Sequence, residues 1–323
     1  MTAAIEVEGL VKRYRKAKDA AVDGVSFTVG AGEFAALLGP NGAGKTTTIN
    51  VLITTLLPTA GTVHVAGLDV VREAAAVRRQ CGIIFQQPSL DLNLTGEHNV
   101  RLHAILYGVH PYRPTYRAMP KGYRDQVDEL ATLLGIQKDI FRPVRTLSGG
   151  MKRKLEILRS LMHRPSVMFL DEPTAGLDAA SRRDLWTYLR RVQEESGTTV
   201  LLTTHYLEEV QGADLVCVIA AGKVVASGSP DQLTDRLVGR RLLLLDSAER
   251  SALRAELAGL GAPFEEDGTG FRIPAAAEEA QRLLQSITTP LTAIRTVEPT
   301  LEDAYLEIVA ASASSDGGDV DGS

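Results

Sequence analysis

The sequence predicts an α/β fold, in which a largely parallel sheet lies between helices, followed by a smaller α+β domain. Two apolar runs, SVMFLDEP (166–173) and TTVLLTTH (198–205), flank a helical segment, SRRDLWTYLRRVQEES (181–196). Strand, helix and strand in this order, with strands apolar throughout, is typical of a parallel sheet covered by helices on both faces. At 323 residues the chain is long enough for one domain of ordinary size and a smaller second one.

The first half of the chain contains further strand and helix signals. Short apolar stretches bounded by turn residues read as strands, and residues 92–165 are largely helical around an irregular insert at 108–124. The predicted strands here are IEVEGLVKRY (5–14), AVDGVSFTVG (21–30), GEFAALLG (32–39), a pair around GTVHVAG (61–67) and CGIIFQQ (81–87). We therefore assign residues 1–235 to the first domain.

Beyond about residue 239 the pattern changes to βαββαβ with a closing helix, which predicts a small ferredoxin-like domain over 236–311. Its segments are RRLLLLD (240–246), SAERSALRAELAGLG (247–261), PFEEDGTGFRIP (263–274), AAEEAQRLLQSI (276–287), LTAIRTVE (291–298) and TLEDAYLEIVA (300–310). The remaining residues, 312–323, are small and acidic and lack bulky apolar side chains, so we expect a disordered tail.

Composition narrows the class of protein. The 35 Lys and Arg against 40 Asp and Glu give a net charge of −5, which provides no overall attraction to nucleic acid or anionic membrane. Cys81 and Cys217 lie in apolar segments and form no disulfide framework, which fits a reducing cytoplasm. The start of the chain lacks a secretory signal, and no apolar run approaches the ~20 residues of a membrane-spanning helix. Any action at a membrane would require another polypeptide.

The most informative stretch is GPNGAGKTT, residues 39–47, directly after the apolar run EFAALL. Its spacing, G-x-x-x-x-G-K-[ST], predicts a loop whose backbone N–H groups surround a phosphate chain, with the following helix directed at the same anion. Lys45 would reach the β- and γ-phosphates and the Thr46 hydroxyl would ligate Mg²⁺. A chance match in a glycine-rich turn is the alternative. The predicted nucleotide-binding residues are Gly39, Pro40, Asn41, Gly42, Ala43, Gly44, Lys45, Thr46 and Thr47.

Two other segments carry candidate site residues. Asp171 and Glu172 follow four apolar residues at a strand end, where one carboxylate can hold Mg²⁺ and the other can orient or deprotonate a water. Two solvated loop acids are the plainer alternative. Ser148, Gly149 and Gly150 open a strongly helical segment and form a second helix end that could bind an anion.

These motifs together resemble the ATP-binding subunits of ABC transporters. GPNGAGKT resembles that family's phosphate loop, LSGGM its signature sequence and VMFLDE its second acidic motif, over about residues 1–235. The resemblance implies an ABC-type ATP-binding fold that binds ATP and Mg²⁺. It also implies a homodimer in which the signature of one copy completes the site of the other, and a peripheral location at the cytoplasmic face of the membrane.

The resemblance also implies roles for single residues. Tyr14 would stack on adenine, and Gln86 would contact Mg²⁺ and the attacking water. Asp178 would act across the dimer, and His205 would hold the γ-phosphate and the water. The expected metal ligands are Thr46, Gln86 and Asp171, and the expected catalytic residues are Lys45, Gln86, Glu172 and His205. Met151 departs from the family's usual glutamine, which leaves a contact with the opposite nucleotide's ribose in question.

More narrowly, QQPSLDLNLTGEHNV and VEPTLEDAYLEIV resemble daunorubicin/doxorubicin-resistance type exporters. This implies a separate multi-spanning membrane subunit and export of a hydrophobic drug or lipid. A nutrient importer subunit and a soluble ABC ATPase acting on ribosomes or nucleic acid are the alternatives. The last is disfavoured because the chain has one phosphate loop and no sustained heptad run.

The insert at 108–124 combines four basic residues with three tyrosines. Such a pattern can stack bases and bind phosphates. A solvated loop is the plainer interpretation, and the resemblance adds contact with the membrane subunit or lipid headgroups as a third.

Overall fold

The structure is a computed structural model that describes residues 2–15, 17–87, 89–235, 241–268, 270–275, 277–297 and 300–316. The chain divides into two compact units, residues 1–227 and 228–323. The predicted boundary at 235/236 therefore differs from the observed one, and residue 236 itself lies outside the described ranges. The segment before that boundary, a helix over Pro230–Asp235, belongs to the second unit.

The elements up to residue 228 alternate between strands and helices much as the apolar runs predict. They are β1 (Ala3–Lys12), β2 (Val22–Gly30), β3 (Phe34–Leu38), α1 (Lys45–Leu52), β4 (Ala60–Val65), β5 (Leu68–Asp69), α2 (Ala74–Gln80), β6 (Cys81–Ile84), α3 (Gly96–Leu106), α4 (Lys121–Leu134), α5 (Gly149–Leu161), β7 (Val167–Asp171), α6 (Ala179–Ser196), β8 (Thr199–Thr204), β9 (Leu215–Ala220) and β10 (Lys223–Gly228).

These strands form two sheets. The first is antiparallel, in the order β2-β1-β4-β5, and the second has six strands in the order β10-β9-β3-β8-β7-β6. Strands β9, β3, β8, β7 and β6 run parallel to one another, so their carboxyl ends meet at one edge of the sheet. That edge is where ligands bind in open α/β sheets.

The core of this unit lies between the two sheets and around α1. Strand β1 alternates, burying Ile5 and Val7 while the glutamates between and after them face solvent. Strands β3, β7 and β8 are buried along their whole length, as expected for central strands covered on both faces. The burial of these strands provides a rigid support for the residues that follow their carboxyl ends.

The predicted helical region, 92–165, contains α3, α4 and α5. Helix α3 begins after Thr95, whose hydroxyl accepts a hydrogen bond from the N–H of His98 at 3.2 Å, a side-chain N-cap. Helix α4 ends at Gly135, which takes up a left-handed conformation. No helix in the described ranges is long and apolar enough to cross a membrane.

The second unit has the predicted order of strands and helices after an initial helix. Its elements are α7 (Pro230–Asp235), β11 (Arg241–Asp246), α8 (Arg250–Gly259), β12 (Glu265–Asp267), β13 (Gly270–Ala275), α9 (Ala277–Ser286), β14 (Ala293–Val297) and α10 (Leu301–Asp316). The sheet is antiparallel with the order β12-β13-β11-β14, and its core contains Leu253, Phe271 and Ile273.

One expectation for this unit was wrong in part. Helix α10 continues to Asp316, so residues 312–316 are helical where a disordered tail was predicted. Ala310, Ala311 and Ala313 lie just before and within this stretch, and alanine is the best helix former and needs no bulky apolar partner to extend a helix. The rest of the predicted tail, 317–323, lies outside the described ranges.

Candidate functional site

The glycine-rich segment forms a loop between β3 and α1 at the carboxyl edge of the parallel sheet. Gly44, at the N-cap of α1, has φ 104°, and a Cβ there would lie 2.5 Å from the carbonyl oxygen of Ala21. Only glycine fits such a position without a backbone shift. The N-cap makes no side-chain hydrogen bond, and the first N–H groups of a helix have no partner within it. The loop and helix end therefore present backbone donors to an anion.

Lys45 is buried at the base of this loop, with 4% of its surface exposed. Its Nζ donates to the carbonyl oxygens of Gly39 at 2.6 Å and Pro40 at 3.0 Å. Burial lowers the pKa of the Lys45 ammonium, while the charges of Glu172 and Asp171 act in the opposite direction. The cation is thus held beneath the loop, facing the space that phosphates would occupy.

The remaining candidate residues follow the neighbouring parallel strands. Gln86 comes after β6, Asp171 ends β7 with Glu172 next, and His205 follows β8. Because β3, β8, β7 and β6 run parallel in that order across the sheet, the tertiary structure brings all four side chains to the same edge as the phosphate loop.

Asp171 connects two hydroxyl groups. Its Oδ1 accepts from Thr46 Oγ1 at 3.1 Å and from Thr203 Oγ1 at 2.6 Å. Thr203 also accepts a hydrogen bond from the backbone N–H of Glu172 at 3.0 Å. The two predicted metal ligands Thr46 and Asp171 therefore lie within hydrogen-bond distance of each other, and Thr203, which sequence reasoning missed, holds both acidic residues.

Glu172 is the centre of a polar cluster. Its Oε2 accepts from Gln86 Nε2 at 3.0 Å, and its Oε1 lies 3.5 Å from His205 Nδ1 and 3.9 Å from Lys45 Nζ. The φ of Glu172 is 43°, a left-handed conformation that non-glycine residues rarely adopt. Backbone strain of this kind is concentrated at functional sites, where the surrounding contacts maintain it.

A cavity of about 290 Å³ lies above these residues. Its lining residues are Ala21, Asn41, Gly42, Ala43, Gly44, Lys45, Thr46, Thr47, Gln86 and Glu172. All except Ala21 were predicted. Gly39 and Pro40 contribute the carbonyls that accept from Lys45.

Two predicted residues stand at the margin of this cavity. The hydroxyl of Tyr14 is 3.2 Å from Thr47 Oγ1, and its ring is 42% exposed and available to a flat ligand. The ring of His205 packs against that of Tyr206, with centroids 3.9 Å apart. That packing orients its Nδ1 toward Glu172.

The signature residues and Asp178 do not line this cavity. Ser148 caps α5 by accepting from the N–H of Met151 at 3.3 Å, and both Ser148 and Gly149 are exposed. A Cβ on Gly150 would meet the Ser181 hydroxyl at 3.1 Å. Asp178 is exposed and caps α6, and hydrogen bonds from the N–H and hydroxyl of Ser181 lower its pKa.

Most of the tyrosine surface in the basic insert at 108–124 is not available for stacking on bases. Tyr123 is fully buried and donates to Glu97 Oε1 at 3.1 Å, and the Tyr116 hydroxyl donates to Asp128 Oδ1 at 2.9 Å. Tyr116 is half-buried, and of the three tyrosines Tyr112, 65% exposed, presents the most surface to solvent. The geometry therefore disfavours nucleic-acid binding at this segment.

Comparison with known proteins places this site in a family. Residues 22–175 match the ABC transporter family model. The chain is 38% identical over 313 residues to the daunorubicin resistance ATP-binding protein DrrA3 of Streptomyces coeruleorubidus, covering 94% of this chain and 95% of the relative. It is 37% identical over 268 residues to the Nod factor export ATP-binding protein I of Ralstonia nicotianae, covering 83% and 80%.

A solved structure agrees with these relatives. The ATP-binding cassette MJ0796, described as a dimer in a post-hydrolysis state with ADP and Pi, has a TM-score of 0.61 and 26% identity, covering 70% of this chain and 98% of the cassette. The chain belongs to the ABC transporter family, as an ATP-binding subunit that hydrolyses ATP and whose relatives include the daunorubicin/doxorubicin-resistance ATP-binding proteins.

Proposed function

We propose that this chain powers an exporter that moves a hydrophobic drug or lipid through a separate multi-spanning membrane subunit, to which it binds at the cytoplasmic face. The observation that carries the ATPase part is the meeting of Lys45, Thr46, Asp171, Gln86 and Glu172 around one cavity. The export direction is supported by the names of the relatives, which act in daunorubicin resistance and Nod factor export.

The phosphates of ATP would occupy the cavity above the glycine-rich loop. Lys45 would exchange the carbonyls of Gly39 and Pro40 for phosphate oxygens, and the backbone donors at the start of α1 would take the remaining charge. The exposed ring of Tyr14, next to Thr47, would stack on the adenine.

The donor set at Thr46 and Asp171 fits Mg²⁺, a hard cation that takes oxygen ligands and usually keeps several waters and phosphate oxygens. The Thr46 hydroxyl and the Asp171 carboxylate are adjacent, and Gln86 can turn its amide oxygen toward them from the same edge. When bound, Mg²⁺ would neutralise charge on the phosphates.

Glu172 would accept the proton of the attacking water. Gln86 and His205 flank its carboxylate from two sides and would hold the water and the γ-phosphate in line. General-base catalysis of this kind contributes about 10² to 10⁴ in rate.

The second copy of the chain would complete the site. Ser148, Gly149 and Gly150 present a helix N-terminus that does not line the chain's own cavity, and Asp178 is exposed at the start of α6. In a head-to-tail homodimer these residues would reach the nucleotide held by the partner. Hydrolysis would then open the dimer and reset the attached membrane subunits.

The roles of the site residues are tested by ATP hydrolysis with the purified full chain. Lys45→Ala and Glu172→Gln should each reduce turnover by about 10² or more. Matched changes at exposed residues, Lys138→Ala and Glu208→Gln, should leave turnover unchanged. Full turnover in either site variant would contradict the assigned roles.

The transporter assignment is tested by its partner. The tagged chain should be recovered from detergent-solubilised membranes of its native host together with a multi-spanning protein of about six helices, and cells carrying both chains should accumulate less of an added hydrophobic drug. Recovery with ribosomes or nucleic acid would refute the exporter, and uptake rather than efflux would reverse its direction.

A further inference from the structure

A buried arginine on the signature helix contacts the backbone beside the reacting groups. Arg153 lies on α5, has 6% of its surface exposed and donates through all three guanidinium nitrogens. Its Nε donates to the carbonyl oxygen of Pro173 at 2.8 Å, its Nη1 to that of Phe85 at 2.6 Å and its Nη2 to that of Glu172 at 3.4 Å. These carbonyls belong to the residue before Gln86, to Glu172 itself and to the residue after it.

The neighbouring turns of α5 also bond the segment that follows Gln86, at Ser89. Glu156, with no exposed surface, accepts from Arg153 Nη1 at 2.9 Å through one oxygen and from the N–H of Ser89 at 2.8 Å through the other. Arg159 Nη1 donates to the carbonyl of Ser89 at 2.8 Å. Side chains on one face of α5 therefore form hydrogen bonds with the backbone on both sides of Gln86, at Phe85 and Ser89.

We propose that Arg153 is a positioning residue for ATP hydrolysis, which holds the backbone of Glu172 and of Gln86 in the arrangement that their side chains need. This rests on the proposed roles of those two residues. The planar guanidinium is suited to this task because its donors diverge in a fixed geometry and can bond several carbonyls at once. Glu172 needs such support because its left-handed conformation is not one the chain adopts unaided.

The position of Arg153 on the helix gives this contact a second consequence. It follows Ser148 by five positions, about 7.5 Å along a helix axis. A tilt or shift of α5, caused by engagement of its N-terminus with a nucleotide on the second copy, would move Arg153 and with it Gln86 and Glu172. Occupation of one site would thereby adjust the catalytic geometry of the other.

A buried ion pair could instead serve only stability, and the pair with Glu156 allows the two roles to be separated. Removing Arg153 alone leaves Glu156 as an uncompensated buried charge, which is strongly destabilising, whereas replacing both partners with apolar residues is often neutral. Arg153→Met combined with Glu156→Met should therefore be more stable than Arg153→Met alone. It cannot regain the bonds to the three carbonyls.

The experiment compares kcat, the Kd for Mg-ATP and the thermal midpoint of the full chain for Arg153→Met, for the double variant, for Arg153→Lys and for a control, Lys154→Gln. The control removes a cation from the same helix that bonds Tyr188 on α6 instead of the loop. We expect the double variant to melt above Arg153→Met, to bind Mg-ATP within about twofold of the wild type, and to lose about 10- to 100-fold in kcat, as expected when catalytic groups are displaced.

Arg153→Lys keeps the charge opposite Glu156 but cannot reach three carbonyls, so it should also lose kcat while losing less stability than Arg153→Met. The control should keep the wild-type kcat. Wild-type kcat in the double variant would overturn the proposal, as would a loss of kcat accompanied by an equal loss of Mg-ATP binding. The Glu172→Gln variant, assayed in parallel, separates the role of Glu172 as the base from the role of Arg153. Activity in Glu172→Gln would refute Glu172 as the base. An inactive Glu172→Gln together with a fully active double variant would refute only the role of Arg153.

Discussion

Replacing Thr203 with valine should destabilise the first unit and disturb both acidic residues of the site. Thr203 is fully buried at the end of β8, between Asp171 and Glu172. Valine has nearly the same shape but lacks the hydroxyl, so the change removes two hydrogen bonds without opening a cavity.

The size of the effect follows from those two bonds. A hydrogen bond to a charged group such as Asp171 contributes about 1.5 to 3 kcal/mol, and the N–H of Glu172 left without a partner costs about 1 to 3 kcal/mol. A loss near 3 kcal/mol in the free energy of unfolding is expected. For a unit of this size the midpoint should fall by about 6–12 °C.

Thermal unfolding followed by circular dichroism measures this loss, with Thr203→Ser as the matched control. Serine keeps the hydroxyl and loses only a methyl group, so its midpoint should stay much closer to the wild type. If the valine and serine variants melted at the same temperature, the hydroxyl would contribute nothing, and Thr203 could not be what holds the two acidic residues.

Three further outcomes are expected. Gly44→Ala should lower the free energy of unfolding in urea more than Gly42→Ala does. Both glycines have positive φ, but only a Cβ at residue 44 would meet backbone atoms. Equal losses of stability in the two variants would contradict this packing argument. Burial lowers the pKa of His103 to about 3, so the neutral ring is favoured in the fold and this residue should lower stability by about 2 kcal/mol between pH 6.5 and pH 5. His103→Phe should make the pH dependence in urea titrations shallower by that amount, while His110 and His163, whose pKa values burial also lowers, retain the rest. An unchanged slope would refute the burial of a neutral His103. Burial raises the pKa of both Cys81 and Cys217 to about 12, so a thiol reagent at pH 8 should label neither cysteine until denaturant is added. Rapid labelling of the folded chain would contradict their burial.

The sequence predicted the phosphate loop and the acidic pair because each depends on local information, whereas Gln86 was predicted through the resemblance to ABC transporter subunits. An apolar run marks a buried strand, and the polar residues just after it must lie at the strand's carboxyl end. Since parallel strands share that edge, the three separate segments lie around one cavity in the structure.

The same local reasoning could not find Arg153 or Thr203. A charged residue in the middle of a helix is usually solvated, and a threonine in a buried strand usually satisfies itself within the sheet. The polar pair Thr203 and Thr204 at the end of an apolar strand was a signal that could have been used. The burial of Tyr123, read from sequence as part of a basic aromatic loop, depends on Glu97, which is 26 positions away.

What the sequence determined by itself is the order of strands and helices and the chemistry of the phosphate loop, because backbone conformation and apolar periodicity are properties of short segments. Only the tertiary structure decided which polar side chains from distant segments donate hydrogen bonds to the same loop carbonyls or to the same carboxylate. The guanidinium of Arg153 bonds the backbone of residues 68 positions before it and 19 and 20 after it. Such contacts are created by packing α5 against the sheet edge, and no pattern within one segment specifies them.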